Sequence, residues 1–440
     1  MTDIDVVSCY ENKKEPTESE TEEELELTIY ELLEEYIDGD QILKLSAPTF
    51  HEEMTDDITH ILFQSLNDAG VWDEEDYDWL YTIVETYTRL WFQSWICPER
   101  HMSQYKGDYH AVEMRVDRTL LADQMQYLRE KNDSNPLQRT KEWYERRSQM
   151  MTASNLWQTL GSDAQKNRFI YDKCRPLEVV AEDRKWVSTE NSLHWGVKYE
   201  PLSVMVYEKI TGAKVESLGC IQHPKYPFLG ASPDGIVGNE ESPLYGRLVE
   251  IKNIYNREMD GIPSEAYWIQ IQGQLACCGL ALCDFVETRF KEYSSAEEYY
   301  EETDMERMRG IILYFVPRDG MSNTPLYRYM PLMSHPTTDP PVNLWMENTI
   351  KELEETHVLF HPIYWYLDDI QMSSVAYNDI WFSHAVKRFK ETWDTIEKER
   401  TTGYEHRSPK KRALPLPEKN KVCIIKLTEN ETIQIETECI

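Results

Sequence analysis

The chain is poor in residues that interrupt structure: 17 glycines and 21 prolines in 440 residues exclude a collagen-like or glycine-rich linker protein. Cysteine supplies no framework either. The nine cysteines are an odd number and include no Cys-x-x-Cys pair, so neither a disulfide scaffold nor a zinc knuckle is indicated, and an intracellular setting is expected. An export leader is also not expected, because residues 1–10 carry Asp3 and Asp5 where a secretory signal would be basic and then apolar. Long hydrophobic runs are missing. The longest stretch free of formal charge, residues 266–283, is interrupted by Gln270, Gln272 and Gln274, amides that a hydrocarbon core disfavours, so a buried helix is expected there and no membrane span. Positive charge is scarce as well: 46 Lys and Arg against 79 Asp and Glu leave a net charge of −33. Such a chain as a whole repels a polyanion, and any contact with one must be a local basic patch.

What is present suffices for a core, with 41% hydrophobic and 12% aromatic residues and length for about three structural units. Residues 1–24 are densely acidic, relieved by Lys13 and Lys14, and are expected to form a solvated tail. Within 25–135, apolar residues three and four apart predict helices near 25–37, 57–66 and 72–95, an accessory helical domain. The polar run at 132–136 marks its end. From 136 to 335 the pattern predicts a helix at 192–211, strands at 215–223, 229–237 and 247–253, a helix at 264–280, and strands at 283–290 and 311–316. That order implies an α/β or α+β domain with a mixed central sheet flanked by helices. Residues 336–402 are expected to be a helical extension, and 403–440 a basic linker followed by a terminal hairpin.

Two features point to chemistry. Basic residues concentrate between Arg139 and Lys185, where a phosphate backbone could dock, although a solvated helix face would look the same. Farther on, Ser232-Pro233-Asp234-Gly235 precedes Glu250-Ile251-Lys252. Strand alternation puts Glu250 and Lys252 on one face and Ile251 on the other, and Asp234 on the partner strand completes a cluster of two acids and a lysine. Hard oxygen ligands suit Mg2+ or Mn2+, and the ammonium can orient or help deprotonate a water. By itself, such a spacing on a strand is more commonly that of a solvent-facing ion pair.

Five segments in order carry a more specific signal: Trp143 to Arg147 with Met151-Thr152-Ala153-Ser154; Trp195 to Glu200; Ser232 to Gly235; Glu250-Ile251-Lys252; and Ala266 to Gln272. Together, over about residues 139–320, they resemble the PD-(D/E)XK nuclease superfamily, in particular its lambda-exonuclease-like, YqaJ-type viral recombinases. The resemblance implies that Asp234, Glu250 and the Ile251 carbonyl are metal ligands, with Glu200 a helical acid that helps hold a metal or its water. It also implies that Lys252 lies beside the attacking water and that Gln272 faces the lysine, leaving Gln270 a packing or partner role. Arg147 and Ser154 would grip a terminal phosphate, with Arg146 substituting if the register shifts by one.

The implied activity is metal-dependent hydrolysis of linear duplex DNA from its ends, 5′ to 3′, in recombination, replication or repair. Two Mg2+ ions would serve, with Mn2+ able to substitute. The resemblance further implies a ring-shaped homotrimer, a single-strand annealing partner, and the cytoplasm or nucleus of a host cell. An endonuclease of the same superfamily and a non-catalytic acidic interaction protein on a nuclease scaffold stay open as alternatives. Other features are expected to be bland. His357 and His361, one helical turn apart, have Val358 where a zinc-protease motif needs Glu, and Cys277, Cys278 and Cys283 sit in apolar surroundings. Ser408-Pro409-Lys410-Lys411-Arg412 resembles a short nuclear-import or nucleic-acid-contact patch.

Overall fold

The structure, a computed structural model, describes residues 22–68, 76–93, 98–105, 117–136, 140–177, 189, 191–304, 306–320, 324–332, 342–408, 422–427 and 433–438. Three amphipathic helices come first: α1 (Glu22–Tyr36), α2 (Phe50–Asp68) and α3 (Tyr77–Gln93). Strand β1 (Met102–Tyr105) and helix α4 (Arg118–Asp133) lead into α5 (Lys141–Ser148), β2 (Met151–Thr152), α6 (Trp157–Leu160), α7 (Asp163–Cys174) and α8 (Ser192–Thr211). The strands β3 (Val215–Glu216), β4 (Ile221–Gln222), β5 (Leu229–Ala231), β6 (Gly235–Val237) and β7 (Leu248–Asn253) follow. Next are α9 (Glu265–Cys278), β8 (Leu282–Glu292), α10 (Ala296–Glu301), β9 (Arg309–Pro317) and β10 (Leu326–Tyr329). The chain closes with α11 (Val342–Leu353), β11 (His357–Ala376), α12 (Asp379–Thr402), β12 (Val422–Leu427) and β13 (Ile433–Glu438).

Eight strands form one mixed sheet in the order β10-β9-β11-β8-β7-β6-β3, with β1 joined to β11. Its parallel pair is β7 with β8, and α9 is the crossover that a parallel connection needs. A smaller sheet, β2-β5-β4, lies beside it. Strand alternation sorts the residues of β7 between two cores. Val249 and Ile251 pack with Tyr199, Leu202 and Val206 of α8, whereas Leu248 packs with Trp268, Ile271 and Leu275 of α9. Glu250 therefore points to the α9 side. The α9 core continues into the N-terminal helices, through Ile29, Leu33, Leu80 and Val84, and into α12, through Trp381 and Phe389. The accessory helices thus share a core with the rest of the chain.

The expectation of a helical extension over residues 336–402 does not hold throughout. Residues His357–Ala376 form a 20-residue strand inserted between β9 and β8, and only α11 and α12 on either side are helical. Pro362 explains part of this: inside a helix it would remove a hydrogen bond and clash with the preceding turn, whereas here it faces Leu313 across the ladder. Ile363 and Trp365, both buried, supply the β-branched and aromatic surface that packs on a pleated sheet. His357 and His361 lie opposite Pro317 and Tyr314 on this strand and so are not turn-mates on a helix.

Smaller differences follow the same logic. The strand expected at 215–223 is divided into β3 and β4, and that expected at 229–237 into β5 and β6. The antiparallel β12–β13 pair matches the expected hairpin, its turn lying outside the described residues. The acidic tail through residue 21, and Pro409 to Arg412 of the basic patch, also lie outside them. Among the described residues no helix is long and apolar enough to cross a membrane, and Cys277, Cys278 and Cys283 are free and buried.

Candidate active site

The break between β5 and β6 builds the site. Ser232-Pro233-Asp234 carries the chain from the small sheet into the large one, and Pro233, lacking an N–H, cannot continue a ladder. A side chain at Gly235 would place its Cβ 2.2 Å from Val215 Cγ1, so glycine is what lets β6 lie against β3 directly after the acid. Gly235 then pairs with Val249, and the Ile251 N–H donates to Asp234 Oδ2 at 2.7 Å. Asp234 is thereby tied to the strand that bears Glu250 and Lys252.

Glu250 has no exposed surface, and both its oxygens are engaged. Oε1 accepts from Lys252 Nζ and from Gln270 Nε2, the latter at 2.6 Å, while Oε2 accepts from Gln274 Nε2 at 2.7 Å. Lys252 also sits over the Tyr267 ring, 4.7 Å from its centroid. This corrects the glutamine assignment. Gln272, expected to face the lysine, turns to the opposite side of α9, where its amide donates to the Ala376 carbonyl and accepts from the Asn378 N–H, both at 2.8 Å. Residues two apart on a helix diverge by about 200°, whereas residues four apart share a face. Gln270 and Gln274 accordingly face β7 together; their four-residue spacing puts them on one face, and the rotation of α9 over β7 decides that this face meets Glu250.

Electrostatics follow from this crowding. Burial and the Glu250 charge push the Asp234 carboxyl well above the ordinary range; Lys252 opposes the rise, and Glu200, an exposed acid on α8, adds to it. Burial pulls the Lys252 ammonium down, but Glu250 and Asp234 outweigh it, and its pKa ends above that of an ordinary lysine. A pair of crowded carboxylates with oxygen donors only is the kind of set that a hard divalent cation relieves. Among the described residues, no three His, Cys, Asp or Glu side chains gather closely enough to cage a metal unaided. Asp234 and Glu250 supply carboxylate oxygens, the hard donors that divalent cations accept.

A second cluster of polar side chains adjoins the first. Arg147, in the last turn of α5, donates from Nη1 to Ser232 Oγ at 2.9 Å and stacks on Trp143, 4.4 Å from the ring centroid. Strands β2 and β5 run parallel, with Met151 opposite Leu229 and Thr152 opposite Gly230. The segments leaving them, which carry Ser154 and Ser232, thus emerge at the same edge. Ser154 is exposed, its Oγ 3.4 Å from Thr152 Oγ1. Arg146 instead hydrogen-bonds to Asn135, so Arg147 is the arginine that faces Ser232. Ser232 was legible only as a neighbour of Asp234; its second role depends on the strand break.

The raised Asp234 pKa has a consequence for stability. A carboxyl that ionises less readily folded than unfolded contributes stability below the unfolded pKa, near 4, and loses it as pH rises through the folded value. At pH 8 in chelator, Asp234→Asn should raise the melting midpoint, because Asn carries no charge to bury and still accepts from Ile251. The gain should vanish toward pH 4, and added Mg2+ should stabilise the native protein more than the variant. A variant that melts below the native protein in chelator would contradict this picture of the cluster.

The model of the YqaJ-like viral recombinase domain matches residues 142–281. An uncharacterized protein of Acanthamoeba polyphaga mimivirus is 27% identical over 298 residues, which is 59% of this chain and 52% of that protein. The chain thus spans about half the length of the curated relative it matches. Among solved structures, an alkaline exonuclease (LHK-Exo) from Laribacter hongkongensis, alone and with dAMP, aligns at 18% identity and a TM-score of 0.33. That alignment covers 59% of this chain and 94% of the other, and is too loose to transfer residues. Residues 142–281, which match the model of the YqaJ-like viral recombinase domain, hold the acids, the lysine, the glutamines and Arg147.

Proposed function

We propose that the protein is a divalent-metal-dependent DNA exonuclease that degrades linear duplex DNA from its 5′ ends during recombination, replication or repair. One observation carries this reading: Ser232, bound by Arg147, and Asp234, bound to the Glu250–Lys252 strand, are two residues apart on a single strand break. A group gripped at the arginine pocket is thereby held a fixed short distance from the acid cluster, as removal of terminal nucleotides requires.

Asp234, Glu250 and the Ile251 carbonyl would hold the cation, with Glu200 at the rim. Bound Mg2+, for which Mn2+ would substitute, supplies positive charge at the scissile phosphate and lowers the pKa of water. Lys252 adds fixed positive charge and orients the attacking water, while Gln270 and Gln274 fix the Glu250 carboxylate. Arg147 recognises a terminal phosphate through its planar fork, with Ser232 and Ser154 as hydroxyl partners and Trp143 as a backing surface. The reading extends to a homotrimer around the duplex and to a single-strand annealing protein as partner.

The decisive assay offers Mg2+ and three duplex substrates: linear 5′-phosphorylated, linear 5′-hydroxyl and covalently closed circular. The expected order is rapid, slow and none; cutting of closed circles would instead identify an endonuclease, and no cleavage of any would favour a non-catalytic scaffold. Arg147→Ala should lower the preference for phosphorylated ends by about tenfold to a hundredfold, the scale of a charge-assisted contact. A uniform loss on both linear substrates, shrinking as salt rises, would place Arg147 on a general DNA-binding face.

The glutamines are tested separately. Gln270→Leu, which takes a donor from the buried Glu250 carboxylate, should lower the melting midpoint and also slow cleavage by the folded protein at least tenfold. Gln272→Leu, which unpairs Ala376 and Asn378, should lower the midpoint too but leave turnover of the folded protein near native. The reverse pattern would restore Gln272 to the site.

A further inference from the structure

Behind the arginine pocket lies a brace that the end-recognition reading does not itself require. Helix α5 ends at Ser148, and carbonyls at a helix C-terminus lack partners within the helix. Lys173 Nζ, on α7, donates to the Arg147 carbonyl at 3.1 Å and to the Met150 carbonyl at 2.7 Å. Arg400, on α12, donates from Nη2 to the Ser148 carbonyl at 2.7 Å, and from Nε and Nη2 to the Lys173 carbonyl at 3.2 and 2.9 Å. Its guanidinium lies over Trp393, 5.2 Å from the ring centroid. Two cations, 26 and 252 residues distant from the carbonyls they meet, therefore converge on the few residues that carry Arg147.

This placement gives Arg147 two fixed ends. Its carbonyl is tied backward to Lys173 while its guanidinium reaches forward to Ser232. An arginine recognises phosphate through paired bonds from a planar fork, a geometry that tolerates little rotation of the backbone carrying it. We propose that Lys173 and Arg400 are positioning residues for the terminal-phosphate pocket, so that the C-terminal helix α12 helps set which DNA ends the protein accepts. The inference rests on the reading of Arg147 as a phosphate ligand.

Residue Arg407 provides the control. It clasps the same α7–α12 joint through Glu399 and Asn167, and none of its hydrogen bonds reaches α5. The test uses full-length Arg400→Gln, Arg400→Lys, Lys173→Met, Arg147→Ala and Arg407→Ala, with melting midpoints recorded for each. The readout is the ratio of cleavage rates on 5′-phosphorylated and 5′-hydroxyl linear duplexes, divided into KM and kcat. Arg147→Ala should lower the ratio by tenfold or more. Arg400→Gln and Lys173→Met should each lower it by about threefold to tenfold, chiefly through KM, the scale of one or two hydrogen bonds. Arg400→Lys should recover part of the loss, and Arg407→Ala should keep the native ratio whatever it does to the midpoint.

A native ratio in both Arg400→Gln and Lys173→Met overturns the proposal, as does an equal loss in Arg407→Ala, which would make the brace a matter of general stability. If Arg147→Ala itself keeps the native ratio, the phosphate-pocket reading fails first and the brace falls with it. If Arg400→Gln does not fold, Arg400→Lys and Lys173→Met decide the matter.

Discussion

A carboxylate taken wholly out of water must be paired, and Glu250 is the place where that requirement organises the protein. Removing a partner from a buried charge costs several kcal/mol, so Lys252, Gln270 and Gln274 are constrained together. Two of these donors come from one turn of α9, and α9 is the crossover between the parallel strands β7 and β8. The same helix packs against the turn that bears Ser154: a Cβ at Gly273 would meet Leu156 Cδ1 at 2.7 Å and Ala153 Cβ at 3.1 Å. The acid cluster and the turn that bears Ser154 are therefore both built against α9.

Much of the site was legible in the sequence because it depends on local periodicity. The two-residue repeat of a strand fixes Glu250 and Lys252 on one face with no knowledge of the fold, and α8 lies over residues 192–211 as its pattern predicts. What was missed depends on distant partners. Whether Gln270 or Gln272 meets Glu250 is decided by how α9 rotates over β7, which the helical period alone does not set. The strand at His357–Ala376 was hidden by a similar ambiguity: its apolar residues fit a helix until Pro362 is weighed, and its partners lie about 45 and 75 residues upstream. Ser232 gained its contact with Arg147 only because Pro233 ends β5.

The regions flanking residues 142–281 are not appendages. Arg100, between α3 and α4, is buried and donates from Nη2 to the Ser46 carbonyl at 2.9 Å and also to the Pro263 carbonyl, joining the N-terminal helices to the loop before α9. Trp268 on α9 packs edge-to-face on Trp381 of α12, ring centroids 4.9 Å apart. Strand β11 occupies the middle of the large sheet. Mutations in these flanks should therefore reach the site through packing even where they touch none of its residues, because close-packed cores transmit strain. The chain's net charge of −33 adds a separate constraint: the chain as a whole repels a polyanion, so the DNA of the proposed activity would have to enter at a local basic site such as that around Arg147.

The central claim is that Asp234, in the break before β6, and Glu250, on β7, form a divalent-cation site served by Lys252. Anomalous diffraction from crystals of the full chain soaked in Mn2+ tests it without reference to turnover. The account predicts a Mn2+ peak bounded by Asp234, Glu250 and the Ile251 carbonyl, lost in Asp234→Asn and retained in Lys252→Met. A peak that forms elsewhere, or that disappears with the lysine and persists without the aspartate, would contradict it.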